Sequence, residues 1–293
     1  LMTEDYLKKV KSLSFWQHPI QCVPMEGGIT NRNFRVEHGN ETLFVRLGED
    51  IPVHGVYRFN ELSASMAAYA CGISPEVVHT ESGAMVLRFI EGRTLEPENL
   101  RDISTIDKVV YLLKICHQQM PDHLPGSTLI FWVFQVIRGY ANTLSDSNSR
   151  MVQQLPRFLE INSNLEKTAG AVELCFGHND LLAGNFIDDN QRLWLIDWDY
   201  AGFNSPLFDL ANLASNNEYT QDLERQLLEM YFEQVVSDDL WKRYFAMKCA
   251  SLLRESMWSM VSEIHSSLDF DYVQYTTENL DRFKTTYAQF SQL

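Results

Sequence analysis

The sequence predicts an α+β protein of two lobes: a small antiparallel-sheet lobe over residues 1–90 and a larger, mainly helical lobe over residues 91–293. Two observations carry that expectation. Up to about residue 90, short alternating segments are separated by Gly- and Pro-containing turns, the pattern of strands. Beyond it, apolar residues recur at helical spacing in one segment after another, with three short strand-like runs between them. A chain of 293 residues with an apolar fraction of 45% has material for one large domain or two lobes.

In order along the chain, a helix is expected over 4–16 with Thr3 as its cap. Residues 26–31, Glu-Gly-Gly-Ile-Thr-Asn, read as a glycine-rich turn. The runs 33–37 and 42–47 alternate as strands, and together these segments suggest a hairpin whose tip approaches a ligand. Residues 59–70, rich in Ala and Met, form a helix that Gly72 and Pro75 terminate. Strands over 77–79 and 85–89 surround a turn at Ser82-Gly83. In the second lobe, helices are expected over 103–118, 129–141, 150–166, 205–216, 221–236, 238–264 and 277–290. Short strands are expected at 174–176, 185–187 and 193–196. The cleft between two such lobes is the expected ligand site.

Composition excludes several classes. The net charge of −15 disfavours nucleic acid and anionic membrane surfaces, both of which select for clustered Lys and Arg. It suits a cationic substrate. The five cysteines are far apart and form no Cys-x-x-Cys pair, so neither a disulfide framework nor a zinc site is expected. Buried reduced thiols fit a cytoplasmic protein. Met2-Thr3-Glu4-Asp5-Tyr6 lacks a basic segment leading into an apolar one, so no secretory signal is expected, and no apolar run is long enough to span a bilayer. The sequence carries no signal for an oligomeric state.

The chemistry is concentrated in His178-Asn179-Asp180-Leu181-Leu182-Ala183-Gly184-Asn185 and in Leu195-Ile196-Asp197-Trp198-Asp199. Phosphoryl transfer asks a protein for alignment and charge neutralisation rather than covalent chemistry. Asp180 is placed to orient a hydroxyl and take its proton. Asn185 offers a neutral oxygen to Mg2+, and Asp197, after a hydrophobic strand, offers an anionic one. His178 is read as ordering the loop. Asp199 adds to the metal environment or orients a neighbour.

These residues resemble a known group. The octapeptide 178–185 resembles the phosphotransferase motif shared by choline/ethanolamine kinases and aminoglycoside phosphotransferases. Residues 196–212, with Gly27-Gly28-Ile29-Thr30-Asn31 and Val45-Arg46-Leu47, resemble choline kinases nearly throughout. The resemblance covers roughly residues 20 to 290. It implies a protein kinase-like two-lobed fold, ATP and Mg2+ as cofactors, and a small cationic amino alcohol as acceptor. Asp180 would be the catalytic aspartate, and Asn185 and Asp197 the metal ligands. Arg46 would contact phosphates and pair with Glu61. Gly27, Gly28, Thr30 and Asn31 would approach the phosphates, and Arg88, Phe89 and Ile90 would form the hinge that meets adenine. Asp209 would support the catalytic loop.

A quaternary ammonium has no N–H, so aromatic faces recognise it. Trp258, Phe270, Tyr272 and Tyr275 are candidates; residues 258–261 and the segment after them resemble the choline-site helix and loop of choline kinases, and that resemblance implies that Trp258, Phe270 and Tyr275 line the headgroup pocket. Two positions depart from the family pattern. Asn216 stands at the approximate place of a headgroup-facing glutamate, and Glu255 where animal-type choline kinases have another tryptophan; Glu218 is an alternative acid. Choline is the first expectation and ethanolamine remains open. The rivals are an aminoglycoside, thiamine or other small-alcohol phosphotransferase and, from another class, a catalytically silent choline-binding protein.

Overall fold

The computed structural model describes residues 2–25 and 31–293. Helix α1 (Met2–Lys11) precedes β1 (Gln21–Met25), β2 (Arg32–His38) and β3 (Glu41–Leu47). Helix α2 (Arg58–Ala70) follows, then β4 (Val77–Glu81) and β5 (Ala84–Arg88). These five strands form one sheet, ordered β1-β2-β3-β5-β4 and antiparallel throughout. The period of two sorts its side chains. Leu43, Val45 and Leu47 of β3, with Ala84 and Val86 of β5, face a core shared with Val10 and Leu13. Phe44, Arg46, Met85 and Leu87 take the opposite face, which lines a deep cleft.

The rest of the chain is β6 (Arg93–Thr94), α3 (Pro97–Leu100), α4 (Ile103–Gln119), α5 (Val133–Asp146), α6 (Leu155–Ala169) and β7 (Cys175–Gly177), then β8 (Phe186–Asp188), β9 (Leu193–Leu195) and β10 (Gly202–Asn204), then α7 (Pro206–Asn216), α8 (Gln221–Phe232), α9 (Asp238–His265) and α10 (Tyr272–Phe290). Two small antiparallel sheets, β6-β8-β9 and β10-β7, hold the polar loops between helices. Helix α9 is the spine: residues 244–254 are all buried, and α5, α6, α7 and α10 pack around it. The inner face of α2, Ala64, Ala67 and Ala68, belongs to this larger core rather than to the sheet's own core. The helix is therefore packed on the helical region while carrying Glu61 towards the sheet, where it pairs with Arg46.

Several elements differ from expectation for identifiable reasons. Strand β1 was not expected: it is an edge strand with four of its five residues exposed and Pro24 within it, so it shows no apolar alternation. The glycine-rich segment therefore falls in the sequence between β1 and β2 rather than between β2 and β3, whose hairpin turns at Gly39, with φ +62°. Helix α1 ends at Lys11, before 16. Helix α5 starts at Val133 because Phe131 N donates to Phe203 O, which makes 129–131 extended. Helix α10 starts at Tyr272, before 277, because the Asp271 side chain accepts from Gln274 N at 2.9 Å. No helix among the described residues is long and apolar enough to cross a membrane.

Candidate active site

The loop from β7 to β8 carries Asp180 and is tied at almost every residue. Asp209, on α7 and fully buried, accepts from the amides of His178 (2.9 Å) and Asn179 (2.8 Å) and from His117 Nε2 (2.8 Å). Burial opposes its charge, but the His117 bond and these amides outweigh that and hold the carboxyl below its ordinary value. Asn179 adopts a left-handed backbone, φ +66°, and its amide nitrogen reaches the carbonyls of Gly177, Tyr200 and Gly202. Asn212 Oδ1 accepts from Leu181 N at 2.6 Å. His178 Nε2 bonds Ile196 O at 2.9 Å, and burial lowers its pKa, so it orders the loop as a neutral ring.

Asp180 projects from this frame into a cavity of 540 Å³, which Asn185, Asp197, Asp199, Arg46 and Glu61 also line. Burial is the main force on Asp180 and pushes its pKa up to about 8; Arg254 opposes the rise, and Glu255, Asp197 and Asp199 add to it. Asn185 donates its amide nitrogen to Asp180 O at 2.8 Å, which leaves the amide oxygen as its acceptor for another partner. Asp197 has φ +68° and is held below its ordinary pKa: burial opposes the charge, and Arg46 overrides it.

Arg46 Nη1 bonds Glu61 Oε1 at 2.6 Å and Asp197 Oδ1 at 3.0 Å. A second guanidinium, Arg58, was not singled out in the sequence. Its Nη1 reaches Glu61 Oε2 (2.5 Å) and Asp199 Oδ1 (2.9 Å), and its Nη2 reaches Asn31 Oδ1 (3.0 Å). Asn31 is buried and donates to Asp199 Oδ2 at 2.9 Å. Arg58 was visible only as an arginine three residues before Glu61 on one helix face. The expected contacts from Gly27, Gly28 and Thr30 fall outside the described residues.

At the hinge, Arg88, Phe89 and Ile90 line the cavity with the apolar Phe44, Leu87, Ile187 and Ile196. The Arg88 guanidinium points away from it, pairing with Glu41 and Glu76 on the surface. The amides of Arg88 and Phe89 are committed to Glu76 O and Thr42 O. The contact to adenine expected from this segment therefore has no backbone donor at Arg88 or Phe89.

The far end of the cavity is built from α9 and α10. Glu255, Trp258 and Tyr275 line it, joined by Tyr200 and Arg254, which sequence reading missed. The Trp258 indole N–H donates to Tyr200 Oη at 2.8 Å. Two expected acceptor contacts are corrected. Asn216, on the last turn of α7, bonds Asn212 Oδ1 at 3.2 Å and lies outside the cavity lining. Phe270 precedes the early start of α10, is 42% exposed, and packs behind Tyr275 with ring centroids 5.7 Å apart. Glu218 pairs with Arg101 at the surface.

The residues fit a magnesium ion. Among the described residues no three His, Cys, Asp or Glu side chains form a metal cage. Mg2+ in a nucleotide site, however, takes one or two protein oxygens and completes its shell with phosphate and water. Asp197 and Asn185 both line the cavity, and the bond from Ile196 N to Asn185 O at 2.9 Å ties their two segments together.

A buried ion pair between sheet and α2, a rigid aspartate loop and a strained Asp after a strand define a phosphotransferase of kinase architecture. Residues 22–245 match the choline/ethanolamine kinase family, and the chain belongs to that family. It is a small-molecule kinase and binds a nucleotide. It is 27% identical over 264 residues to the LicA protein of Haemophilus influenzae, covering 84% of this chain and 75% of that one. It is 25% identical to a probable ethanolamine kinase of Arabidopsis thaliana, covering 89% and 78%. A choline/ethanolamine kinase family protein from Mesorhizobium loti shares the fold, with a TM-score of 0.78 and 24% identity over 98% of this chain and 95% of that one.

Proposed function

We propose that the protein transfers the terminal phosphoryl group of ATP to choline, giving phosphocholine and ADP, with ethanolamine as a further acceptor. The observation that carries this reading is that Asp180 shares one cavity with both sets of groups, and that Asp197 and Asp199 on one hand and Arg254 and Glu255 on the other act on its charge. In this reading Arg46, Asp197 and Asn185 serve the nucleotide, and Trp258, Tyr275 and Glu255 the acceptor. The reading divides the chain at about residue 90 into a nucleotide-binding lobe and a catalytic, acceptor-binding lobe. A cytoplasmic location suits its substrates.

In the proposed reaction, the acceptor hydroxyl attacks the terminal phosphorus in line, the bond to the ADP oxygen breaks, and Asp180 receives the hydroxyl proton. Burial first, and then the carboxylates Glu255, Asp197 and Asp199, raise the pKa of Asp180 against the opposing Arg254, so a cation bound beside it favours the ionised form that accepts the proton. This favours a positively charged acceptor. Arg46, fixed by Glu61, supplies a planar fork of donors to phosphate oxygens. Mg2+ held by Asn185 and Asp197 would neutralise charge on the nucleotide phosphates.

The test is magnesium-dependent ADP release with choline, ethanolamine and an aminoglycoside in parallel. Turnover of choline that Asp180→Asn abolishes is the expected result. Strong activity with the aminoglycoside and none with choline would replace the acceptor. Choline binding with no turnover at all would make the protein a silent binder.

A further inference from the structure

The acceptor end of the cavity contains a carboxylate that takes no direct part in the transfer step. Glu255 stands one helical turn before Trp258 on α9, and both its oxygens are held. Oε1 accepts from the Tyr275 hydroxyl at 2.7 Å and Oε2 from Arg254 Nη1 at 3.0 Å. The supports are themselves rigid. Arg254 is 2% exposed, with its guanidinium carbon 4.4 Å from the Tyr200 ring centre and 5.5 Å from that of Phe131. Tyr275 is set on the first turn of α10. A carboxylate oxygen has two lone pairs, so one bond to each leaves acceptor capacity on both. The Glu255 side chain is 18% exposed and lines the cavity, so that capacity is within a ligand's reach.

We propose that Glu255, clamped by Arg254 and Tyr275, determines acceptor specificity: it reads N–H bonds on the ammonium group and extends the acceptor range from a quaternary to a primary ammonium. This rests on the reading of the protein as an amino-alcohol kinase. A quaternary ammonium asks only for aromatic faces and negative charge nearby. Trp258 supplies a face, and His54 stacks on that ring with centroids 5.1 Å apart. A primary ammonium carries three N–H donors, and each one desolvated without an acceptor is costly. Aromatic faces alone leave them unpaired. Asp180 is committed to the hydroxyl at the other end of the short acceptor. Among the described residues Glu255 is the remaining carboxylate at this end of the cavity, and its charge makes the hydrogen bond a strong one.

The experiment uses the full chain as wild type, Glu255→Gln and Tyr275→Phe. Ethanolamine and choline are compared by calorimetric Kd and by kcat/KM. Glu255→Gln is expected to weaken ethanolamine at least tenfold more than choline in both measures. Tyr275→Phe is expected to move the ratio in the same direction by a smaller factor, because the carboxylate then keeps only its Arg254 anchor. Equal losses for the two cations, or a ratio that neither variant moves, would overturn the proposal. A wild type that turns over neither cation counts against the proposed reaction, while the Kd ratio still decides the role of Glu255. Binding of neither cation overturns both.

Discussion

The two ends of the cavity are built on opposite principles. At the nucleotide end, Arg46, Arg58, Glu61, Asp197 and Asp199 form a dense set of ion pairs at 2.5–3.4 Å, spanning sheet, α2 and the loop after β9. At the acceptor end, rings dominate: Trp258, Tyr200 and Tyr275 surround one carboxylate and one buried guanidinium. In the proposed reaction the first end meets phosphates, which are the same in every reaction of this kind, so fixed charge geometry suffices. The second has to tell one small cation from another, and in the proposed reading it does so with shape, ring faces and the Glu255 carboxylate. Damage to the first end should therefore hurt all acceptors alike, and damage to the second should discriminate.

The largest effect belongs to the residue between them. Asp180→Asn is expected to lower kcat/KM by ~10³-fold for every acceptor, the middle of the range for loss of a positioned base. The same variant should be the more heat-resistant protein. The folded-state pKa of about 8 lies above the ordinary 3.8, so the folded state holds a proton that the unfolded chain releases. The resulting penalty is absent below pH 3.8, grows as pH rises, and is complete above about 8. Melting in chelator should therefore show Asp180→Asn ahead of wild type at pH 8, with the gap closing towards pH 4. A wild type more stable than the variant at pH 8 would contradict the burial argument.

Next in size, Arg46→Lys is expected to cost ~10²-fold in kcat/KM for ATP, by about the same factor with choline and ethanolamine, because an ammonium cannot hold Glu61 and a phosphate in one planar fork. Steady-state kinetics with both acceptors checks this, and a loss confined to one acceptor would blur the division between the ends. Trp258→Leu is expected to raise the choline KM by ~10-fold, the loss of one good ring face, with the KM for ATP nearly constant. Smallest of all, Asn216→Ala should change acceptor kinetics less than about twofold, since its side chain bonds Asn212 outside the cavity. A large rise in choline KM there would place Asn216 back among the acceptor contacts.

The same contrast explains what could be read from sequence. The nucleotide end is written in short contiguous stretches, where Asp180, Asn185 and Asp197 keep fixed spacing, so their convergence was expected. Arg58 was missed because an arginine on a helix is ordinary, and only the fold brings Asp199 to it. At the acceptor end, rings on α9 and α10 look the same in sequence whether they fill a core or face a ligand. Phe270 and Tyr275 were therefore grouped together, and the Asp271 cap separated them. Arg254 gave no signal, since a buried cation depends on Tyr200 and Phe131 arriving from distant segments. Short strands such as β6 and β10 have too few residues for a period to show.

One consequence follows from the positive φ of Asp197. Its backbone tolerates Gly, Asn or Asp, whereas longer side chains cost about 1–2 kcal/mol there. In the proposed reaction the ion it would hold favours a negative oxygen. Asparagine satisfies the main chain and fails the charge; glutamate keeps the charge but bears the main-chain cost, as Glu218 and Glu233 of this chain do at φ +56° and +55°, and sets its carboxylate one methylene farther out. Aspartate combines the charge, the short reach and the cheaper main chain, so either replacement at this position gives up one of the three.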